Sequence, residues 1–288
     1  MMENEAYLRF GVFASVLILI AIWESLAPRR TRVVSRWRRS INNLLLVSLD
    51  VFFVRVIPSL SAVAAAKWAT QYHVGLLNQL DVPGWFEGII ALLALDLLIY
   101  GQHVATHRLP ILWRFHRVHH ADLDLDATSG LRFHPVEILL SICVKVVAVA
   151  ALGAGMEAVI LFEVGLNAAA IFNHGNIRLP TWCDRGLRWV IVTPDMHRVH
   201  HSIRTEETHS NFGFNLPWWD WLFRTYRAQP HDSHEHLTLG LPDLRTQAET
   251  VPLALMLWMP FQANKVRPPD AEFLSSSEAG ETNSGSAT

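Results

Sequence analysis

Charge is what this sequence has least of for its length. Lysine, arginine, aspartate and glutamate supply 17% of its 288 residues, where a soluble chain would be nearer a quarter charged. Apolar residues at 51% fill the gap and leave a mean hydropathy of +0.21, which argues against a soluble enzyme and for a membrane protein. Cysteine is almost absent. Cys143 in an apolar run and Cys183 in a polar segment make no disulfide framework and imply no oxidising compartment. Three motifs are missing as well. There is no dinucleotide-binding glycine loop, no C-x-x-C-H haem attachment and no H-E-x-x-H of the zinc hydrolase type. The formal charge is −2, and no nucleic-acid partner is expected.

The apolar residues fall into long runs. Tyr7–Leu26 has about 20 residues, enough to cross roughly 30 Å of hydrocarbon. Its acidic leader and the absence of a small-residue cleavage site make it a retained span rather than a signal peptide. Six arginines follow between Arg29 and Arg39, a short basic loop of the kind that stays in the cytoplasm. A second run, Ile41–Ala66, is expected to carry the chain back out, with Asp50 and Arg55 turned to the bundle interior. Lys67–Gly84 is then an outer loop in which His73 is a surface residue. Trp85–Ile99 re-enters, with Tyr100 at the interface. Val136–Phe172 is too long for one span and is broken at Leu152–Glu157 by LGAGME, so two helices are expected to dip in and return. The expectation is an all-α integral membrane bundle, three spans plus a helical hairpin, under a cytoplasmic histidine-rich helical cap. Residues 1–84, 85–230 and 231–288 divide it into N-terminal helices, a catalytic region and a polar C-terminal segment with a disordered tail from Asn264.

What the sequence has in excess is histidine. Eleven of the 15 histidines lie between His103 and His209, and HRVHH occurs twice. Side chains three and four apart share a helix face, so His103 and His107 are neighbours. His116, His119 and His120 can converge, and His197, His200 and His201 repeat them. Imidazole is the commonest neutral metal ligand. Eight imidazoles are too many for one four-coordinate zinc and suit two adjacent metals with open positions. A metal-transporting membrane protein would place such residues within its spans, and a b-type haem would use only two. A zinc-dependent membrane hydrolase would need a carboxylate base.

The boxes QHVATH, HRVHH and HRVHH, with RFHPVE at His134, NHGN at His174 and WDWLFRTY after the third box, resemble the fatty acid hydroxylase/sterol desaturase superfamily of membrane non-haem diiron enzymes. The resemblance covers roughly residues 90 to 230. It implies the eight box histidines as ligands of two iron ions, His174 as a ninth, and hydroxylation or desaturation of a lipid C–H bond with dioxygen. Ala170 stands where members often carry a further histidine, one turn before His174. Zinc, favoured over iron by an all-nitrogen site, is a substitute expected on purification. Two electrons must come from an external donor, a ferredoxin, cytochrome or reductase.

Other polar residues carry weaker expectations. His134 is a candidate near the metals, although the following proline favours a turn. Asp96, two turns before His103, and Glu163, three turns before His174, could orient a ligand, and Asn167 could act directly or through water. Asp122, Asp124 and Asp126 read as caps and loop solvators, and Asp195 as an N-cap. His209 divides evenly between the site and a solvated loop. His231, His234 and His236 read as surface residues, and Trp218, Trp219 and Trp221 as packing.

Overall fold

The computed structural model describes residues 2–57 and 61–262, with side chains from Ala6 onward; the expected tail from Asn264 lies outside the described residues. Helix α1 (Met2–Leu26) is followed by α2 (Arg36–Val56), α3 (Ala62–Gln71), α4 (Gly84–Arg108), α5 (Pro110–His120), α6 (Pro135–Leu152) and α7 (Met156–His174). Short helices α8 (Thr181–Leu187), α9 (Pro194–His200), α10 (Thr205–Thr208), α11 (Trp218–Leu222), α12 (Gln247–Thr250) and α13 (Leu253–Trp258) complete the fold. No strand longer than an isolated bridge occurs among the described residues. Helices α1, α4, α6 and α7 are each long and apolar enough to cross a membrane, as in a multi-pass membrane protein.

The expected second span is not one helix. α2 stops at Val56 because Ile57 precedes Pro58, and a residue before proline is driven out of the helical region. Ile57 accordingly takes φ −111 and ψ 89. The Ser61 hydroxyl then accepts from Ala64 N at 3.2 Å and starts α3. With three arginines in its first turn plus Asp50 and Arg55, α2 is too polar to count as a span alone. Together α2 and α3 still make the journey, because Leu76 N, just past α3, donates to Ala151 O at the end of α6 at 3.0 Å. Asp50 is buried as expected, whereas Arg55 is exposed.

The α6–α7 hairpin forms where the glycines predict. Gly153 caps α6 at φ +72, and a Cβ there would lie 2.9 Å from Val74 O. The small faces of α3 (Ala62, Ala66) and α4 (Ala91, Leu95) close against Val149, Val159 and Phe162 as the membrane-side core. A second core joins Leu46 of α2, Trp113 and Val118 of α5, and Met256 and Met259 at the C-terminal end. Residues 241–259 thereby brace α5 from outside.

The arginine-rich linker is largely tied down rather than solvated. Arg39 is fully buried between three carboxylates, with Asp122 at 3.5 Å, Asp124 at 3.8 Å and Asp126 in direct contact. These aspartates are buried, which corrects their expected role as solvated loop residues. Asp124 also accepts from Val33 N and Val34 N at 2.8 and 2.9 Å. Glu24 accepts from Ala127 N and Asn176 N at 3.1 and 3.2 Å. Arg132 donates to Val118 O at 2.8 Å and to Thr250 O at 2.5 Å. The loop after α5 is thus pinned to α1, α2 and α12 by charge-assisted hydrogen bonds.

Removing Arg39 leaves three buried carboxylates facing one another, a change that costs about 3–5 kcal/mol when a buried pair loses one partner. Arg39→Met should lower the thermal unfolding midpoint in detergent strongly, while Arg38→Ala at an exposed neighbour stays within about 0.5 kcal/mol of wild type. Equal midpoints for the two variants would contradict the role given to Arg39.

Candidate metal centre

Four chain segments bring histidines to one place. The last turns of α4 carry His103 and His107. Leu109 is held extended by Pro110, so the chain turns sharply, and the proline starts α5 at its first position, where its missing N–H is harmless. α5 then presents His116, His119 and His120. The third box is built alike: Thr193 caps α9, Pro194 opens it, and His197, His200 and His201 follow. His174 is the last residue of α7. All nine are buried, none more than 7% exposed.

The nine divide into two groups, each with one nitrogen per ring within 4.8 Å of the others. His103, His107, His116, His120 and His200 form one, and His119, His174, His197 and His201 the other. Each HRVHH sends its i, i+4 pair to one group and its middle histidine to the other. The two pentapeptides do this in opposite senses, so each box serves both groups.

The outer ring nitrogens are held by the backbone. Nδ1 of His103 lies 2.8 Å from Phe212 O, that of His174 2.7 Å from Ala170 O, and that of His200 2.8 Å from Ser210 O. Nδ1 of His119 reaches Arg132 O at 3.3 Å, and Nδ1 of His116 lies 2.6 Å from Glu137 Oε1. A carbonyl can only accept, so these Nδ1 atoms carry the proton and Nε2 is left with a bare lone pair.

Inner nitrogens then face one another across short gaps, and in His119 and His174 the facing atoms are both bare. Nε2 of His174 is 3.1 Å from Nε2 of both His119 and His197, and His201 Nε2 is 3.3 Å from His197 Nε2. Nε2 of His116, His120 and His200 and both nitrogens of His107 have no hydrogen-bond partner. Converging lone pairs repel unless a cation lies among them. Protonation is a poor source of that cation, because burial, and then the neighbouring imidazoles, hold His119, His120, His197, His200 and His201 well below the ordinary histidine pKa. Metal–imidazole bonds of about 2.0–2.1 Å would put adjacent ligand nitrogens on one ion about 3 Å apart, the spacing found here. The donor set therefore fits metal ions: two groups of neutral nitrogens that could hold one ion each.

The remaining expected residues lie elsewhere. His134 is the N-cap of α6, accepting from Val136 N at 3.1 Å, with Nε2 3.3 Å from Leu257 O. Asp96 touches no histidine. It accepts from Asn215 Nδ2 at 2.7 Å and Trp219 Nε1 at 2.8 Å and so ties down the segment whose Phe212 carbonyl holds His103. Glu163 pairs with Lys145 at 2.6 Å and Arg9 at 2.7 Å. Asn167 donates to Glu163 O at 2.9 Å. Asp195 is not the cap of α9; it pairs with Arg198 and with Arg29 at 3.2 Å. His209 has its ring 5.7 Å from that of His107 but belongs to neither group. His231 and His236 are exposed, whereas His234 is buried with Nε2 3.7 Å from Asp195. Of the tryptophans, Trp219 bonds Asp96, Trp218 donates to Trp189 O at 2.7 Å, and Trp221 packs edge-on against Trp189.

Two contributors were not singled out from the sequence. Glu137 orients His116, and its place in RFHPVE was the available signal. Asp220 accepts from Phe212 N and Gly213 N, each at 2.8 Å, and burial raises its pKa to about 6. Its place in WDWLFRTY was the available signal for this second carboxylate behind the Phe212 carbonyl.

The histidines form one end of a cavity of about 670 Å³, reached by His103, His116 and His119 and extending between α2, α6 and α7 to Glu163. Outside it, between α4 and α6, runs an apolar groove that shares Gln102, Thr106 and Glu137 with the cavity wall.

Gly130 shows how closely the last turn of α7 is packed: a Cβ there would lie 2.2 Å from Ala170 O and 3.2 Å from His174 Nδ1. Gly130→Ala should therefore displace His174, costing about 1–3 kcal/mol. Its metal content by mass spectrometry should fall in the four-histidine group while the protein still inserts. Unchanged metal content and stability would contradict this packing.

A family model described as "Fatty acid hydroxylase" matches residues 88–225, the span holding all nine histidines. The ornithine lipid hydroxylase of Rhizobium tropici is 27% identical over 228 residues, covering 77% of this chain and 68% of that protein. A putative Delta(7)-sterol-C5(6)-desaturase of Arabidopsis thaliana is 29% identical over 158 residues, 51% of each chain. Human alkylglycerol monooxygenase is 26% identical over 162 residues, 54% of this chain and 33% of that one. The chain thus spans about two thirds of the first relative, about half of the second and a third of the third. No solved structure matches it significantly. With three histidine boxes in order inside the matched span, residues 88–225 are a fatty acid hydroxylase domain, and the chain belongs to the fatty acid hydroxylase/sterol desaturase superfamily.

Proposed function

We propose that the protein is a membrane-bound non-haem diiron oxygenase that uses dioxygen and externally supplied electrons to hydroxylate, or desaturate, a lipid C–H bond. The observation that carries this reading is the pair of adjacent all-histidine groups at the end of a cavity running between apolar helices. His103, His107, His116, His120 and His200 would hold one iron, and His119, His174, His197 and His201 the other. Zinc would fit the nitrogens but is redox-inactive, whereas two bound irons supply the oxygen-activating redox chemistry that an unactivated C–H bond requires.

The chain's own residues prepare that chemistry. The Phe212, Arg132, Ala170 and Ser210 carbonyls and the Glu137 carboxyl fix the rings and raise their basicity as ligands. Burial holds His119, His120, His197, His200 and His201 well below the ordinary histidine pKa, in the form that binds metal. The apolar walls contributed by α2, α6 and α7 exclude water and hold a hydrocarbon chain against His103, His116 and His119. With no nucleotide-binding glycine loop, the chain depends on a separate ferredoxin, cytochrome or reductase. The basic segment Arg29–Arg39 supports a cytoplasmic histidine end, within reach of such donors. The relatives named for ornithine lipids, alkylglycerols and sterols support a lipid substrate.

The test is incubation of membranes carrying the protein with a lipid panel, a reducing system and oxygen-18 gas. A lipid product carrying the label is expected from wild type, or a labelled-water balance if the product is desaturated. His200→Ala should reduce turnover to background while leaving membrane insertion intact. Full activity of that variant would remove His200 from the site.

A further inference from the structure

α2 delivers to the cavity a carboxyl that the proposed metal chemistry does not use. Asp50 is 4% exposed and lines the same cavity as His103, His116 and His119. Neither of its oxygens has a hydrogen-bond partner among the described residues. Folded proteins very seldom bury a carboxyl in this condition, so a group that completes it is expected when the cavity is filled.

Most other polar groups of the lining are engaged, apart from the exposed Arg55 and one oxygen of Glu137. Glu163 holds Lys145 and Arg9, and the Ser141 hydroxyl donates to Gln102 at 3.3 Å. The Thr106 hydroxyl donates to His103 O at 2.7 Å, and Glu137 spends one oxygen on His116, leaving Oε2 unpartnered beside the histidines. Around Asp50 the walls are apolar: Val47, Val51, Val54, Ile138, Ile142 and Leu166. A bound molecule therefore meets hydrocarbon along most of the cavity and an acceptor at one interior position on α2.

We propose that the substrate is an amphiphile bearing a hydrogen-bond donor, a hydroxyl, amide N–H or amine, that Asp50 binds while the attached hydrocarbon chain extends to the histidines. This rests on the oxygenase reading and deepens it. A plain hydrocarbon offers Asp50 no hydrogen bond and is disfavoured. Asp50 is a substrate-binding residue in this account: by fixing the donor, it fixes which carbon of the chain lies at the metal end.

The experiment compares two probes with the same chain, hexadecanol and hexadecyl methyl ether, which differ in the donor hydrogen. Metal-loaded full-length protein in lipid nanodiscs, without reductant, is titrated with each probe, and bound lipid is counted by native mass spectrometry. Wild type should prefer hexadecanol about tenfold, the discrimination given by a hydrogen bond to a buried carboxylate. Asp50→Leu should bring the ratio to about one without weakening the methyl ether, and Asp50→Asn should keep part of the preference. Equal binding of both probes by wild type overturns the proposal, as does an undiminished preference in Asp50→Leu; water alone then satisfies the carboxyl. The wild-type comparison decides the matter even if a variant fails to fold. Because binding is read without turnover, a preserved preference with no oxygenated product would reject only the oxygenase reading. Turnover with no preference would reject only this one.

Discussion

Nine imidazoles converge in a buried volume, some with inner nitrogens little more than 3 Å apart, and most of the surrounding structure serves to make that arrangement tolerable. Such a cluster opposes its own assembly until cations enter it. Each ring must therefore be held by something other than its neighbours. For five of the nine, four backbone carbonyls and one carboxyl do this, and they come from the Phe212–Ser210 segment, the loop after α5, the first turn of α6 and the last turn of α7. Each of these is anchored in turn. Asp96 and Asp220 grip the segment that carries Phe212, and Arg132 ties the loop to α5 and α12. Rigidity is thus supplied two bonds away from the metal-facing nitrogens, the pattern expected where outer partners orient ligands.

The linker arginines have a use besides the orientation proposed for them. Positive charge favours one side of a membrane for that loop, but Arg39 is buried and Glu24 collects backbone donors from the loop after the second box and from just past His174. A buried ion network is weak evidence for stability by itself. Here it joins α1 and α2, far away in sequence, to the loop that follows the second box, and so fixes how the first two helices flank the cavity that the histidines close.

Much of this was legible in the sequence. The 3.6-residue period decides which histidines share a face, so the three boxes and their convergence follow from spacing. The LGAGME break gives the hairpin, because glycine at a helix end accepts the left-handed conformation that Gly153 adopts. What the sequence left ambiguous depended on partners remote along the chain. Asp96 is on the same face as His103, but its carboxylate reaches residues 215–219, more than a hundred positions away. Asp122, Asp124 and Asp126 look like a solvated loop until Arg39 is placed among them. Pro58 was the readable sign that Ile41–Ala66 is two helices, obscured by the apolar composition on either side. The crossing of the middle histidines between the two groups needed the relative rotation of α5 and α9, which no local pattern contains.

The central claim is that the two histidine groups are two different metal sites, five nitrogens in one and four in the other. The most direct measurement is the Mössbauer spectrum, with metal content, of protein grown on iron-57 and purified anaerobically in detergent. The account predicts two irons per chain and two quadrupole doublets of equal area, one for each group. One iron per chain, iron present only as haem, or no iron after ferrous reconstitution would contradict it.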